Sequence, residues 1–227
     1  MSNERFVTAD GSHSLRSTRF GVPYHSVHGA VAESRHVFIE AGLNDAVDRG
    51  LSEIAIIETG FGTGLNALLS WDFARRHPQL SISYRGLELH PLLPEVAATL
   101  NYPATVPFPP RNFQQLHSAG WNEWDTQGNF RFRKEDIDFS TGLARLEKEH
   151  RADVLYFDAF APSSQPELWE TPLLGICFAA LRPGGVLVTY CAQGQFKRNL
   201  RAVGFEVEPL PGPPGKREMT RARRPLT

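Results

Sequence analysis

From Glu53 onward, two apolar spacings take turns along the chain: short runs of β-branched and aromatic residues, and longer stretches with a 3.6-residue period. The run "EIAIIE" (53–58) predicts a buried strand, and "LNALLSWDFARRH" (65–77) an amphipathic helix that ends before Pro78. "LSISYRGLE" (80–88) predicts a second strand, "PLLPEVAATLN" (91–101) a helix opened by proline, and "FRFRKED" (130–136) an alternating strand. "STGLARLEKEH" (140–150) starts on a serine and keeps the helical period. After it come a strand at "ADVLYFD" (152–158), a helix at "PELWETPLLGICFAAL" (166–181), a strand at "GGVLVTYCA" (184–192) and a helix at "GQFKRNLRAVG" (194–204). "FEVEPL" (205–210) and "REMTRA" (217–222) close the chain as a hairpin around "PGPPGK".

Alternating strand and helix signals are the mark of parallel βαβ units. The expected fold is therefore α/β and Rossmann-like: a mainly parallel seven-stranded sheet with helices on both faces and a C-terminal antiparallel hairpin. Residues 1–52 precede the first sheet strand. Asp10-Gly11 is a hairpin signal and "AVAESRHVFIEAGLNDAV" (30–47) a helical one. These predict a small N-terminal cap, with 53–227 as the main domain. The proline-rich "YPATVPFPPRN" (102–112) reads as a loop.

Composition narrows the picture. The chain has 227 residues, 41% of them hydrophobic and 22% charged, which suits one sizeable soluble core. No basic start followed by an apolar block is visible, and no apolar run approaches the ~20 residues that span a bilayer, so a cytoplasmic protein without a membrane anchor is expected. Cys177 and Cys191 form no C-x-x-C pair and read as small core residues. His25, His28 and His36 have no accompanying fourth ligand, so no metal is expected. The net charge is −1, but residues 192–227 carry eight basic against three acidic side chains, leaving that stretch at +5 and the remainder at −6. A basic patch on an acidic body suits contact with a polyanion, although charge alone favours a solvated end.

The chemistry starts at "ETGFGTGLN" (58–66), where Gly60, Gly62 and Gly64 stand between a strand and a helix. The spacing is neither G-x-G-x-x-G nor G-x-x-x-x-G-K-[ST], so a dinucleotide and a nucleoside triphosphate are both disfavoured. An E-x-G-x-G-x-G turn resembles the first motif of Rossmann-fold methyltransferases, whose S-adenosylmethionine carries no phosphate. Glu88, ending the second strand, is placed for ribose hydroxyls, since a carboxylate can accept from both. Asp136, with Ile137 beside it, follows the third strand and suits the adenine. Asp158 ends the fourth strand, where open α/β sheets bind ligands, and is followed by Phe160 and Pro162. Such a carboxylate can accept an N–H and aim an amine at a methyl group, while Phe160 or Trp169 could stack on a base. As structural elements, Asp158 would instead cap a helix and Phe160 would pack in the core.

Five stretches together, "YHSVHGAVAESRHVFIEAGL", "ETGFGTGLN", "YFDAFAPSSQPELW", "LRPGGVLVTYCAQGQFKRNLRAVGF" and "GKREM", resemble the methyltransferase part of the bacterial MnmC proteins and their stand-alone MnmD-like relatives. The resemblance implies an S-adenosylmethionine-dependent enzyme that methylates the exocyclic amine of 5-aminomethyl-2-thiouridine at the tRNA wobble position. A chain ending at Thr227 has no room for a flavin domain, so a separate enzyme would prepare that amine. The resemblance further implies that Glu58, Gly60, Phe61, Gly62, Thr63, Gly64 and Asn66 hold the methionine end, Glu88 the ribose, and Asp136 with Ile137 the adenine. Asp158 would be the catalytic residue beside the methyl group. Tyr24, His25 and Ser26 would close the pocket, with Phe160, Pro162 and Trp169 around the base and Lys197, Arg198, Lys216, Arg217 and the "RARR" of 221–224 on tRNA phosphates. A small-molecule methyltransferase or aminopropyltransferase on the same fold, and a non-catalytic nucleotide-binding protein, are the rival readings.

Overall fold

The computed structural model describes residues 4–149 and 151–227, with residues 147–149 as backbone only. Two short strands, β1 (Glu4–Val7) and β2 (His13–Arg16), pair antiparallel across the Asp10-Gly11 turn. The other eight form one sheet: β3 (Glu53–Thr59), β4 (Ser81–Glu88), β5 (Trp124–Gln127), β6 (Phe130–Asp136), β7 (Ala152–Phe157), β8 (Leu181–Thr189), β9 (Glu206–Pro211) and β10 (Glu218–Arg223). Their order is β5-β6-β4-β3-β7-β8-β10-β9. The five central strands, β6 to β8, are parallel; β5 and β10 run antiparallel to them, and β9, antiparallel to β10, points the same way as the central five.

The expected seven strands are all present, and β5 is an eighth. It escapes pattern reading because its four residues "WDTQ" offer one apolar side chain on an edge that needs no alternation. Gly128, at φ 62°, turns it back onto β6.

Alternation along the strands separates two cores. Ile54 and Ile56 of β3, Tyr84 of β4 and Val154 and Tyr156 of β7 face one side, packed under the helix Leu65–Arg76 and the helical run 30–48. Ile57, Leu155, Phe157 and Leu187 face the other, under the helices Phe139–Glu149, Thr171–Ala180 and Gly194–Ala202. The helical run 30–48 lies against the sheet so closely that a Cβ on Gly42 would stand 3.0 Å from Val188 and 3.1 Å from Val154. His150, the end of the expected helix 140–150, lies outside the described residues. Cys177 and Cys191 are buried free thiols.

Two expectations need correction. The proline-rich stretch read as a loop holds the helices Tyr102–Thr105 and Pro110–Ser118. Each places a proline in its first turn, where the missing N–H costs nothing and φ is already helical. Conversely, the helix expected over 91–101 is confined to Pro94–Ala97 and frays into i to i+3 turns at Thr99 and Leu100. No helix among the described residues is long and apolar enough to cross a membrane.

Candidate functional site

The sheet order reverses between β3 and β7, because β4 and β6 lie to one side of β3 and β7 and β8 to the other. Loops after the carboxyl ends of these strands part there, as in other open α/β sheets. They enclose a cavity of about 980 Å³. Its walls come from the glycine turn, from Glu88–Leu93, Asp138–Ser140 and Asp158–Ala161, from the N-terminal segment 17–26, and from Glu33, Tyr190 and Lys216.

The glycine turn has positive φ at Gly60 (94°), Gly62 (48°) and Gly64 (72°), conformations that exclude most side chains. Its amides are mostly spent within the protein. Those of Gly60 and Phe61 donate to Leu87 O at 3.0 and 3.1 Å, that of Gly62 to Glu88 Oε2 at 3.0 Å, and that of Gly64 to Phe61 O at 2.9 Å. A phosphate would find few donors in this turn. Glu88 also accepts from the His90 amide at 2.7 Å, which fixes its carboxylate at the cavity wall.

Beneath the turn, Thr63 Oγ1 meets His25 Nε2 at 2.8 Å and accepts from Tyr102 Oη at 3.3 Å. His117 Nε2 lies 3.1 Å from Thr63 O. Burial pushes both His25 and His117 down to about 4, so both rings are neutral near pH 7 and brace the turn without charge. His25 is thus engaged with Thr63, and among the described residues no group of three or more His, Cys, Asp or Glu is placed to hold a metal.

At the far end of the turn, one amide joins two acids. Asn66 Nδ2 donates to Glu58 Oε1 at 2.6 Å and to Asp158 Oδ2 at 2.8 Å, while Tyr84 Oη donates to the other Glu58 oxygen. Asn66 Oδ1 is buried without a hydrogen-bond partner, a vacant acceptor in a residue that lines the cavity. Burial, and then the charge of Asp158, push the Glu58 carboxyl well above its ordinary range. Burial first, and then the charge of Glu33, raise Asp158 to about 7, against the Asn66 hydrogen bond and Lys216, which lower it. A carboxyl poised there exchanges a proton readily near neutral pH.

Opposite Asp158, three rings form an aromatic recess. Phe160 lies 4.9 Å from Phe20 and 5.2 Å from Tyr24, centroid to centroid. Burial, helped by the charge of Glu88, pushes Tyr24 up to about 12, so its phenol stays protonated. Beside them Lys216 Nζ sits 3.9 Å over the Tyr190 ring and 2.5 Å from Glu33 Oε2, and Glu33 Oε1 accepts from the Ser26 amide at 3.1 Å.

A sequence profile of an S-adenosyl-L-methionine-dependent methyltransferase family matches residues 114–225. The bifunctional tRNA 5-methylaminomethyl-2-thiouridine biosynthesis protein MnmC of Azoarcus sp. (strain BH72) is 33% identical over 91% of this chain, which covers 33% of that protein. The MnmC protein of Cupriavidus metallidurans is 35% identical over 91% of this chain, with 32% of its own length covered. The chain thus spans about a third of the length of these curated relatives. The crystal structure of MNMC2 from Aquifex aeolicus superposes with a TM-score of 0.78 at 25% identity, covering 100% of this chain and 71% of that one. The chain is an S-adenosylmethionine-dependent methyltransferase.

The residues of this methyltransferase fit its cofactor: a cavity at the switch point, a glycine turn that admits close approach, Glu88 fixed on the wall and the vacant acceptor of Asn66. Gly60, Phe61, Gly62, Thr63, Asn66, Glu88 and Asp158 all line the cavity, as do Tyr24, His25, Ser26, Phe160 and Lys216. Glu58 does not; it is 1% exposed and sits behind Asn66, so its influence is indirect. Gly64 closes the turn against His117, a position where a Cβ would lie 2.9 Å from the imidazole. Asp136 is exposed and outside the wall with Ile137, and Asp138, Phe139 and Ser140 line the cavity instead.

Trp169 is buried rather than free to stack on a base. It packs against Phe157, Phe196 and Tyr190 and donates Nε1–H to Phe160 O at 2.9 Å, which positions the Asp158–Phe160 loop from below; Pro162 is half-buried outside the wall. Lys197 pairs with Glu218 at 2.7 Å, Arg198 bonds Gln195, and Arg217 is exposed. The "RARR" stretch is largely spent inside the protein: Arg221 pairs with Asp45 and Glu208, Arg223 with Asp45, and Arg224 donates to the carbonyls of Phe178, Ala179 and Leu181. Being in or next to β10, inside the sheet edge, these arginines staple strands rather than present a free cationic face.

Phe20, Glu33, Asp138 and Tyr190 were not anticipated. For Glu33 a signal existed: positions 30, 33, 34, 37 and 38 share one helical face, and an acid in that buried stripe is out of place unless something pairs with it.

Proposed function

We propose that this methyltransferase transfers the methyl group of S-adenosylmethionine to the exocyclic amine of 5-aminomethyl-2-thiouridine at the tRNA wobble position, giving 5-methylaminomethyl-2-thiouridine. The observation that carries the reading is Asp158. It directly follows β7 at the switch point, is tied through Asn66 to the glycine turn, and stands on the same loop as Phe160 in the aromatic recess. The bound cofactor supplies an electrophilic methyl group on a sulfonium.

Asp158 accepts an N–H of the amine, takes the proton that an ammonium must lose before it has a lone pair, and aims the nitrogen in line with the methyl carbon. Phe160, with Phe20 and Tyr24, holds the pyrimidine ring and keeps water away. Glu88 takes the ribose of the cofactor, and the loop that carries Asp136 and Ile137 flanks its adenine. Lys197, Arg198 and Arg217 contact backbone phosphates of a cytoplasmic tRNA, with Lys216 at the cavity itself. A separate enzyme supplies the amine.

The test is incubation with labelled S-adenosylmethionine and bulk tRNA from a strain lacking this methylation, followed by mapping of the labelled nucleoside. Label in 5-methylaminomethyl-2-thiouridine is expected, and binding to tRNA that weakens steeply with salt. Label confined to small amines, with tRNA untouched, would transfer the reading to a small-molecule methyltransferase.

A further inference from the structure

Glu33 and Lys216 lie 183 residues apart in sequence, yet their charged groups meet at 2.5 Å in the wall that also carries Asp158. Glu33 is 6% exposed and Lys216 half-buried. A buried ion pair gains little stability over well-packed apolar residues, because both charges lose their hydration. Neither side chain is needed to close a helix or strand, although Glu33 also takes the Ser26 amide. The pair therefore calls for a reason in the chemistry of the cavity.

We propose that Glu33 and Lys216 are a positioning pair for Asp158, Glu33 favouring proton uptake by that carboxylate and Lys216 favouring its release. The proposal rests on the methyl-transfer reading above and names the residues that tune its proton step. In that step the ammonium nitrogen of the acceptor gives a proton to Asp158. The freed lone pair then forms the N–C bond as the C–S bond breaks, with its electrons going to sulfur. The product leaves as a methylated ammonium, and Asp158 returns its proton to water.

The charges around Asp158 are of both signs. Glu33 raises its proton affinity, while Lys216 and the Asn66 hydrogen bond lower it. Glu58 on β3 faces it through Asn66, and Tyr84, Tyr102 and Tyr190, all held neutral by burial, surround the same end. Glu33 comes from the helical run 30–48 and Lys216 from the turn between β9 and β10, so two remote parts of the chain supply the pair.

The test is carboxyl-carbon NMR titration of Asp158 in the full chain, with the resonance assigned by Asp158→Asn, and without any tRNA. Compared with the native midpoint, Glu33→Gln is expected to lower it by about one pH unit, Lys216→Met to raise it by a similar amount, and the double variant to bring it back. Lys216→Arg, which keeps the charge, leaves it in place. With tRNA, the acidic limb of the turnover profile moves in the same directions. Shifts of one sign in both single variants, or none, overturn the proposal, since a purely structural loss has no reason to change sign with the charge removed. If Glu33→Gln does not fold, Lys216→Met alone decides by whether its midpoint rises. Failure of tRNA methylation in the native protein would sink the functional reading and leave the titration result standing.

Discussion

The two ends of the cavity are built by different means. The end proposed for the cofactor is largely backbone: one contiguous stretch, residues 58–66, with positive φ at three glycines and its amides tied to Leu87 and Glu88. The end proposed for the acceptor is side chain: Phe20 and Tyr24 from the N-terminal segment, Glu33 from a helix, Asp158 and Phe160 from the β7 loop, Tyr190 after β8 and Lys216 from the hairpin turn. Local backbone geometry constrains residue type at fixed spacing, whereas an assembly of distant side chains constrains only the final packing. The two ends should therefore fail differently when perturbed.

The largest separation is expected at Asp158. Asp158→Ala should lower single-turnover methyl transfer by about a thousandfold, within the usual range for a lost proton-transfer group, while the cofactor dissociation constant changes little. Rapid-quench turnover and calorimetric cofactor titration read the two quantities separately. Near-native turnover would remove Asp158 from the chemistry. In the native protein the rate should rise with pH through about 7, because the carboxylate that takes the proton is lost as pH falls below that value.

Next in size is the acid sensitivity of the brace beneath the turn. His25 is lowered to about 4 in the folded chain against about 6.5 unfolded, so the unfolded state binds more protons between those values. Its contribution to stability is complete above about 6.5 and is lost as pH falls toward 4, at about 1.4 kcal/mol per pH unit in mid-window. Asp158 and Glu58, raised by burial, act in the opposite sense, so the informative quantity is a difference. Urea midpoints of His25→Gln should fall less steeply with acidification than those of the native chain. Parallel curves would show that His25 does not brace Thr63.

The contrast also explains what the sequence revealed. The seven expected strands, the glycine turn and Asp158 follow from periodicity and fixed spacing, properties of neighbouring residues. Glu33 and Lys216 owe their role to a contact across the whole chain, and the arginines of 221–224 owe theirs to Asp45 on a remote helix. The family resemblance put those arginines on a phosphate-binding face; the fold spends Arg221 and Arg223 on Asp45 and Arg224 on backbone carbonyls. Glu58 shows the converse limit. The motif groups it with the glycine turn, whereas it lies at the end of β3 with Asn66 between it and the cavity.

Asp45 offers the next test, because it fastens the helical run that carries Glu33 to the strand that follows Lys216. It accepts from Arg49, Arg221 and Arg223 and is 8% exposed, while the arginines are partly exposed and can rehydrate. Asp45→Ala should cost about 2 kcal/mol of stability, short of the full penalty for stranding a buried charge. Turnover should suffer more than cofactor affinity, since the loosened elements belong to the acceptor end. Equal losses in both would mean that the two ends are not separable mechanically.

The smallest effect should come from the opposite end. At Gly62, φ is 48°, and an added Cβ would approach the Tyr24 ring at 3.2 Å. The left-handed conformation costs a non-glycine residue roughly 1–2 kcal/mol, and Tyr24 must also give by a few tenths of an ångström. Gly62→Ala should therefore weaken cofactor binding by about tenfold, the equivalent of ~1.4 kcal/mol. At saturating cofactor, however, the turnover rate should stay near native, because Asp158 and its partners remain in place. Like Asn66, which bonds Asp158, Tyr24 reaches both ends: its ring stands 3.2 Å from where a Cβ on Gly62 would lie and 5.2 Å, centroid to centroid, from Phe160. A fall in saturated turnover in Gly62→Ala, restored by Tyr24→Leu, would show the two ends communicating through that ring.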